Sequence, residues 1–128
     1  MSEAFNLAGI GHISDSGSAR QDGVNQDAYR LPLRATSEQL KQKGWLFVVG
    51  DGLGAPQEAT RASELAVTLI EQAYYHDRSS DLREHLRRAI ESANKALFKK
   101  ARGLLFSELS TSVVCAVVSG DQLHVAHV

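Results

Sequence analysis

One carboxylate, Asp51, lies at the centre of the stretch that is best suited to chemistry. It stands between Gly50 and Gly52, directly after the apolar run Trp45–Val49, and a helix is predicted to begin at Pro56. Such a run is typical of a buried strand, and glycines after it predict a sharp turn that other groups can approach closely. Three interpretations fit a carboxylate at this corner: a metal ligand, part of a phosphate-binding loop, or a plain tight turn.

The same stretch matches a dinucleotide-binding fingerprint. Residues 50–55 read Gly-Asp-Gly-Leu-Gly-Ala, which satisfies Gly-x-Gly-x-x-Gly/Ala. That fingerprint also needs a second parallel strand ending in an acidic residue about 20 residues on, where this chain has helical patterns. Asp51 would place a negative charge against the pyrophosphate, and no Lys-Ser/Thr pair follows to make a Walker A loop. The metal interpretation is therefore favoured.

Other acidic residues are available to join Asp51. Asp15, Asp22 and Asp27 lie in or beside the polar loop after the first predicted strand. If the flanking strands are antiparallel neighbours of the apolar strand, this loop and Asp51 share one end of the sheet. Carboxylates and a glycine carbonyl such as that of Gly52 are suitable ligands for hard cations. We expect Asp15 to be a structural turn residue rather than a ligand.

Periodicity defines the elements that must position these residues. It predicts strands over 5–14, 27–33, 45–49, 109–118 and 123–128, and two amphipathic helices, from Pro56 to a break at 76–80 and from Leu82 to about Gly103. Ser79 or Ser80 is the expected cap of the second helix, 34–44 a hairpin connection and 119–122 a hairpin turn. Because strands and helices do not alternate one by one, the order favours an α+β fold with antiparallel sheets.

Composition limits the class of protein. The 128 residues are 43% hydrophobic and 23% charged with a net charge of −1, which predicts a single globular domain over 1–128 and gives no reason to expect nucleic acid or a membrane as partner. The single cysteine, Cys115, lies in an apolar run and is expected to be a buried, inert thiol. Neither a signal peptide nor a membrane-spanning stretch is apparent, so the cytoplasm is the expected location.

Several segments, in order, resemble the metal-dependent protein phosphatases of the PP2C (PPM) type. Bacterial members carry Ser-Asp-x-Gly-x-x-Arg-x-x-Asn-Glu/Gln-Asp-Ala-Phe/Tyr, and this chain has Ser-Asp-Ser-Gly-Ser-Ala-Arg at 14–20 and Asn-Gln-Asp-Ala-Tyr at 25–29. The family's Ala-Asp-Gly-Met-Gly-Gly corresponds to 50–55, and its Gly-Thr-Thr to Ser-Thr-Ser at 110–112. A Gly-Asp turn at 120–121 leads into a strand that stops where the family has Gly-Asp-Ser-Arg.

The chain departs from the family pattern in several places. Arg20 and Asn25 are two residues further apart than usual, so the direction of Arg20 is in question. Gly50 replaces an alanine, and Ala55 and Ser110 each replace a glycine. The resemblance covers about the first half of a family domain, and the C-terminal acids that complete the first metal site in the family have no counterpart.

The resemblance implies a fold, a cofactor and a reaction. The fold would be a layered α-β-β-α sandwich, here incomplete, with two helices between strands 3 and 4. The cofactor would be a pair of Mn²⁺ or Mg²⁺ ions that activate water to hydrolyse a phosphoserine or phosphothreonine ester. Asp51 would bridge the ions, the carbonyl of Gly52 would bind one, and Asp27 and Gln26 would hold metal-bound waters. Asn25 would support these ligands, and Arg20 would bind the phosphate.

The partners and competing functions follow from this interpretation. The substrate would be a phosphoprotein, itself the target of a Ser/Thr kinase in a signalling pathway. An exposed apolar sheet face is expected, with self-association through it. This 128-residue form is expected to be weakly active or inactive, and a non-catalytic binding module with the same fold is the alternative. The sequence encoded after Val128 would discriminate between the two.

Overall fold

A four-stranded antiparallel sheet, covered on one face by two long helices, makes up the fold. The computed structural model describes residues 9–103 and 108–128. The elements are β1 (Asp27–Arg30), α1 (Ser37–Lys43), β2 (Trp45–Leu53), α2 (Pro56–His76), α3 (Leu82–Gly103), β3 (Ser110–Ser119) and β4 (Gln122–His127). The strands lie in the order β1-β2-β3-β4 and each neighbouring pair is antiparallel. The predicted α+β class is confirmed, including the two consecutive helices ahead of the last hairpin.

Strand β2 is longer than predicted. It continues through Gly50, Asp51 and Gly52 to Leu53, and the first of its glycines with a positive φ, of 111°, is Gly54, just after the strand. The prediction that the strand turns at the first glycines is therefore wrong. The reason is packing: a Cβ atom on Gly52 would lie 2.0 Å from the carbonyl oxygen of Ala59 on α2. The glycine allows the helix to lie close to the strand.

The core lies between the sheet and the helices. The first half of α2 buries small side chains, and its second half buries larger ones: Ala59, Ala62, Ser63, Ala66 and Val67, followed by Ile70, Glu71, Tyr74 and Tyr75. From the sheet, alternate residues of β2 and β3 meet them: Leu46, Val48, Val113, Cys115 and Val117. Cys115 is fully buried, as expected, and burial raises its pKa to about 12.

Helix α3 begins after a different cap from the one predicted. The carboxylate of Asp81 accepts a hydrogen bond from the backbone N–H of Arg83 over 2.9 Å, and the carbonyl of Asp81 accepts from the N–H of His85 over 3.0 Å. The N–H of Ser79 is already bound to the carboxylate of Asp77 at 2.8 Å. Asp81 is thus the capping residue, in place of Ser79 or Ser80.

Two predicted segments differ from the structure. The connection over 34–44 contains the short helix α1, which is held by a capping box: Thr36 Oγ1 accepts from the N–H of Gln39, and Gln39 Oε1 accepts from the N–H of Thr36. Of the strand predicted over 5–14, residues 5–8 lie outside the described residues, and 9–14 form no strand.

The end of α1 is tied to the end of α2. Lys43 is buried, and its Nζ donates to the carbonyls of Tyr75 at 2.7 Å, Tyr74 at 3.3 Å and Asp77. These carbonyls close the C-terminal end of α2, where cations are favoured. The hydroxyl of Tyr74 donates back to the carbonyl of Lys43 over 2.6 Å.

The face of the sheet opposite the helices is apolar over most of its length. Facing residues form rows across the strands, and the first row, Asp27–Asp51–Ser112, is polar. The rows further along are formed mainly by apolar residues: Tyr29–Val49–Val114–His127, Phe47–Ala116–Val125 and Trp45–Val118–Leu123. Of these, Val114, Leu123 and Val125 are 45%, 63% and 60% exposed. The predicted apolar sheet face is therefore present, and it shares one surface with the two aspartates.

Candidate functional site

Two of the predicted site residues, Asp27 and Asp51, lie side by side. They are register partners on β1 and β2, so both side chains emerge on the outer face of the sheet. The pKa of Asp27 is raised above its ordinary value, first by burial and then by the negative charge of Asp51 and a hydrogen bond with it. Two carboxylates held this closely form a concentrated negative charge at one end of the sheet.

The backbone of β2 at Asp51 and Gly52 is held by hydrogen bonds from both neighbouring parts of the sheet. The N–H of Gly52 donates to the carbonyl of Gln26 over 3.0 Å, and the hydroxyl of Thr111 donates to the carbonyl of Asp51 over 2.8 Å. Gln26 is buried, and it binds Gly52 through its backbone carbonyl rather than through its side chain. Thr111 was visible in the sequence only as part of a strand opening, with nothing to indicate this bond across 60 residues.

Asn25 connects three parts of the structure at this corner. Its Nδ2 donates to the hydroxyl of Ser14 over 2.7 Å, and its Oδ1 accepts from the N–H of Asp27 over 3.0 Å. Its carbonyl accepts from the hydroxyl of Thr60 on α2 over 3.2 Å. Asn25 thereby fixes the backbone at Asp27 and ties the preceding loop to both the strand and the helix.

Arg20 lies in an exposed loop near Asp27. Its positive charge acts to lower the pKa of Asp27, but burial and Asp51 outweigh it. The extra residues between Arg20 and Asn25 form a turn in which the N–H of Gly23 reaches the carbonyl of Arg20 at 3.4 Å, with a φ of 65° at Gly23. The insertion is thus absorbed locally, and Arg20 stays near enough for its charge to act on Asp27.

The remaining polar candidates stay outside the pair. The carboxylate of Asp15 accepts from the N–H of Gly17 at 2.7 Å, which agrees with the turn role expected for it. The ring of His12, which is exposed, lies 4.9 Å from that of Tyr29. Of the two C-terminal histidines, His127 shares the outer face with Asp51, whereas His124 pairs with the buried Val117 and lies on the face towards the helices.

The donor set suits a hard divalent cation but is small. Within residues 9–103 and 108–128, no group of three or more His, Cys, Asp or Glu side chains is arranged to hold a metal ion. Asp27 and Asp51 nevertheless offer adjacent carboxylate oxygens. Burial and, after it, the negative charge of Asp51 raise the pKa of Asp27, and a cation would relieve the repulsion between the two carboxylates. The residues present fit part of a Mg²⁺ or Mn²⁺ site.

The described helices include none that is long and apolar enough to cross a membrane.

Comparison with known proteins shows that other proteins have this architecture. Two solved structures share the fold. One is the serine/threonine phosphatase PstP/Ppp of Mycobacterium tuberculosis, with 23% identity, a TM-score of 0.59 and coverage of 80% of this chain and 46% of that one. The other is the catalytic domain of serine/threonine protein phosphatase PstP in complex with two manganese ions, with 21% identity, a TM-score of 0.57 and coverage of 79% and 46%. The chain thus spans less than half the length of these proteins.

Sequence comparison adds the family. A search among curated proteins returned no match. The sequence profile described as protein phosphatase 2C, however, matches residues 16–128, which is most of the chain and includes Arg20, Asp27 and Asp51. The chain therefore belongs to the protein phosphatase 2C family.

Proposed function

We propose that this chain supplies the metal- and phosphate-binding corner of a metal-dependent Ser/Thr protein phosphatase. The observation that carries the proposal is the register pairing of Asp27 with Asp51 in a member of the protein phosphatase 2C family. The substrate would be a phosphoprotein produced by a Ser/Thr kinase, and the cofactor Mn²⁺ or Mg²⁺. A relative of the same fold was solved with two manganese ions, which supports this choice of metal.

Each residue has a role in this proposal. Asp51, Asp27 and the carbonyl of Gly52 would hold the metal, with Gln26 and Asn25 supporting them. When bound, the metal would supply an activated water and neutralise charge on the phosphoryl group. Arg20 would bind the phosphate, because a guanidinium group can donate to two phosphate oxygens at once.

We further propose that the 128-residue chain alone binds metal weakly and hydrolyses phosphoproteins slowly or not at all. Two carboxylates meet within the described residues, and cation affinity rises with the number of charged ligands. By comparison with weak protein sites for divalent cations, a dissociation constant of roughly 10⁻⁴–10⁻³ M is expected for Mn²⁺.

Titration with Mn²⁺, followed by electron paramagnetic resonance of the free ion, tests the site. The chain should bind Mn²⁺, and Asp51→Asn should abolish binding. Asp121→Asn is the matched control, because Asp121 lies in the turn between β3 and β4, away from the pair. Failure of the chain to bind Mn²⁺ at millimolar concentration would contradict the proposed site.

Activity is tested separately with a phosphoserine protein. Little Mn²⁺-dependent phosphate release is expected from the chain alone. Release at the rate of a complete phosphatase, lost in Asp51→Asn, would support the reaction and overturn the proposed weakness of this form.

A non-catalytic binding module is the second candidate. The small number of carboxylates that the described residues bring together favours it, since a fold that retains the corner can bind without turnover. Saturable binding of a phosphoprotein with no phosphate release, even at saturating Mn²⁺, would favour this function over catalysis.

We also propose that the apolar outer face mediates contact with a second copy of the chain. Val114, Leu123 and Val125 expose apolar area on adjacent strands, which disfavours a free monomer. Sedimentation at increasing concentration should show dimers, and Val125→Glu should reduce them. A strictly monomeric species at high concentration would contradict this part of the proposal.

A further inference from the structure

The peptide group between Asp51 and Gly52 is bound from both neighbouring strands. Its N–H, on Gly52, donates to the carbonyl of Gln26, just before β1, over 3.0 Å. Its carbonyl, on Asp51, accepts from the hydroxyl of Thr111 on β3 over 2.8 Å. Because a peptide group is planar, bonds at its two opposite ends set the orientation of the whole unit.

We propose that Thr111 is a positioning residue for the metal site. By binding the carbonyl of Asp51 it fixes the peptide that joins Asp51 to Gly52, and so restrains the two Cα atoms from which the carboxylate of Asp51 and the carbonyl of Gly52 extend. This inference rests on the proposed function, in which those two groups are metal ligands. Groups that orient metal ligands without touching the metal contribute strongly to affinity.

The surroundings of Thr111 support this role. The pairing of β1 with β2 ends at Asp27 and Asp51, and the end of a ladder opens most readily. Strand β2 stays paired with β3 for two more residues, to Leu53 and Ser110, so Thr111 lies on the strand that continues to hold the corner. A Cβ atom on Gly50 would lie 3.4 Å from Thr111 Oγ1, so the absence of a side chain at position 50 leaves space beside the hydroxyl.

A competing acceptor is also present. The hydroxyl of Thr111 lies 2.9 Å from the carbonyl of Ser112, the next residue, and it donates one proton at a time. The bond to Asp51 is the shorter and joins two strands, whereas a bond to Ser112 adds no tie between them. The bond to Asp51 is therefore the one that can hold the corner.

The first test measures the peptide itself, without metal. Amide hydrogen exchange at Gly52, followed by NMR, should be about tenfold faster in Thr111→Val, the change expected for loss of one hydrogen bond. Thr111→Ser keeps a hydroxyl and should restore protection, and Ser110→Ala on the same strand should leave it unchanged. Protection at the buried Cys115 reports whether the sheet is intact. If Thr111→Val fails to fold, Thr111→Ala replaces it in the comparison.

The second test measures Mn²⁺ affinity by paramagnetic resonance. Thr111→Val should bind roughly tenfold more weakly, with Thr111→Ser close to the original chain. Unchanged exchange at Gly52 in the valine variant overturns the positioning role, whether or not metal binds. Faster amide exchange at Gly52 with unchanged Mn²⁺ affinity also overturns it, since Thr111 would then stabilise the strand without affecting the metal site. If the original chain binds no Mn²⁺, the proposed function fails and the exchange result alone decides whether Thr111 positions the peptide.

Discussion

Lys43 and Tyr74 hydrogen-bond each other in both directions. The hydroxyl of Tyr74 donates to the carbonyl of Lys43 over 2.6 Å, and the ammonium of Lys43 donates to the carbonyl of Tyr74 over 3.3 Å. Both side chains are buried, and burial lowers the pKa of Lys43. The pair joins the last residue of α1, two residues before β2, to the last turn of α2, so it fixes the helix relative to the strand that carries Asp51.

Replacing the lysine tests the importance of this connection. Lys43→Met keeps the aliphatic stem but leaves the carbonyls of Tyr74, Tyr75 and Asp77 without their donor. We expect a loss of about 2 kcal/mol in the free energy of unfolding, typical of a hydrogen-bonded charged group. Urea denaturation measures it, with the exposed Lys41→Met as control. An equal, small effect of both variants would show that the connection contributes little.

The pair of aspartates should give the protein a characteristic pH dependence. Because the pKa of Asp27 is raised above 3.8 in the folded state, the folded state binds this proton more tightly than the unfolded chain. The resulting stability is present below pH 3.8 and is lost as the pH rises through the folded pKa.

Asp27→Asn should remove this loss of stability at higher pH, because asparagine does not ionise. In calorimetry without metal, its melting temperature at pH 7 should exceed that of the original chain by about 2 °C. The difference should shrink near pH 3, and Asp121→Asn should show no such pattern. A lower melting temperature of Asp27→Asn at pH 7 would mean that the carboxylates do not repel each other.

Gly52 tests the close contact between strand and helix. In Gly52→Ala the added methyl group would meet the carbonyl of Ala59 at 2.0 Å, so α2 or the strand must move. A destabilisation of about 2 kcal/mol or more is expected from overpacking. Gly50→Ala is the matched comparison, because its nearest contact is the Cγ1 atom of Val67 at 3.2 Å, and it should cost less. Equal denaturation midpoints for both variants would contradict the described packing.

The thiol of Cys115 should be unreactive in the folded protein. It is fully buried on β3, with its pKa raised to about 12, so little thiolate forms at neutral pH. Iodoacetamide at pH 8 should leave it unmodified for hours and label it fully in denaturant, as mass spectrometry would show. Rapid labelling without denaturant would indicate that the strand opens readily.

The sequence predicted more of the fold than of the details at the site. The helices α2 and α3 could be predicted from the helical spacing of their apolar residues, because each helix buries one face. The expectation that the strands beside the apolar strand are antiparallel to it correctly placed Asp27 near Asp51. The helix α1 was missed although Thr36 and Gln39 carry a capping signal. The continuation of β2 through its glycines was not predictable, since the contact with Ala59 that explains Gly52 exists only in three dimensions.

The turn from Arg20 to Gly23 has a consequence for finding related sequences. It closes on itself through a bond between its own ends, so residues can be added there without displacing the strand that begins at Asp27. A search pattern with a fixed interval between the arginine and Asn25 would overlook chains built in this way. The interval is better written as a variable gap between two short blocks, one ending at the arginine and the other beginning at the asparagine.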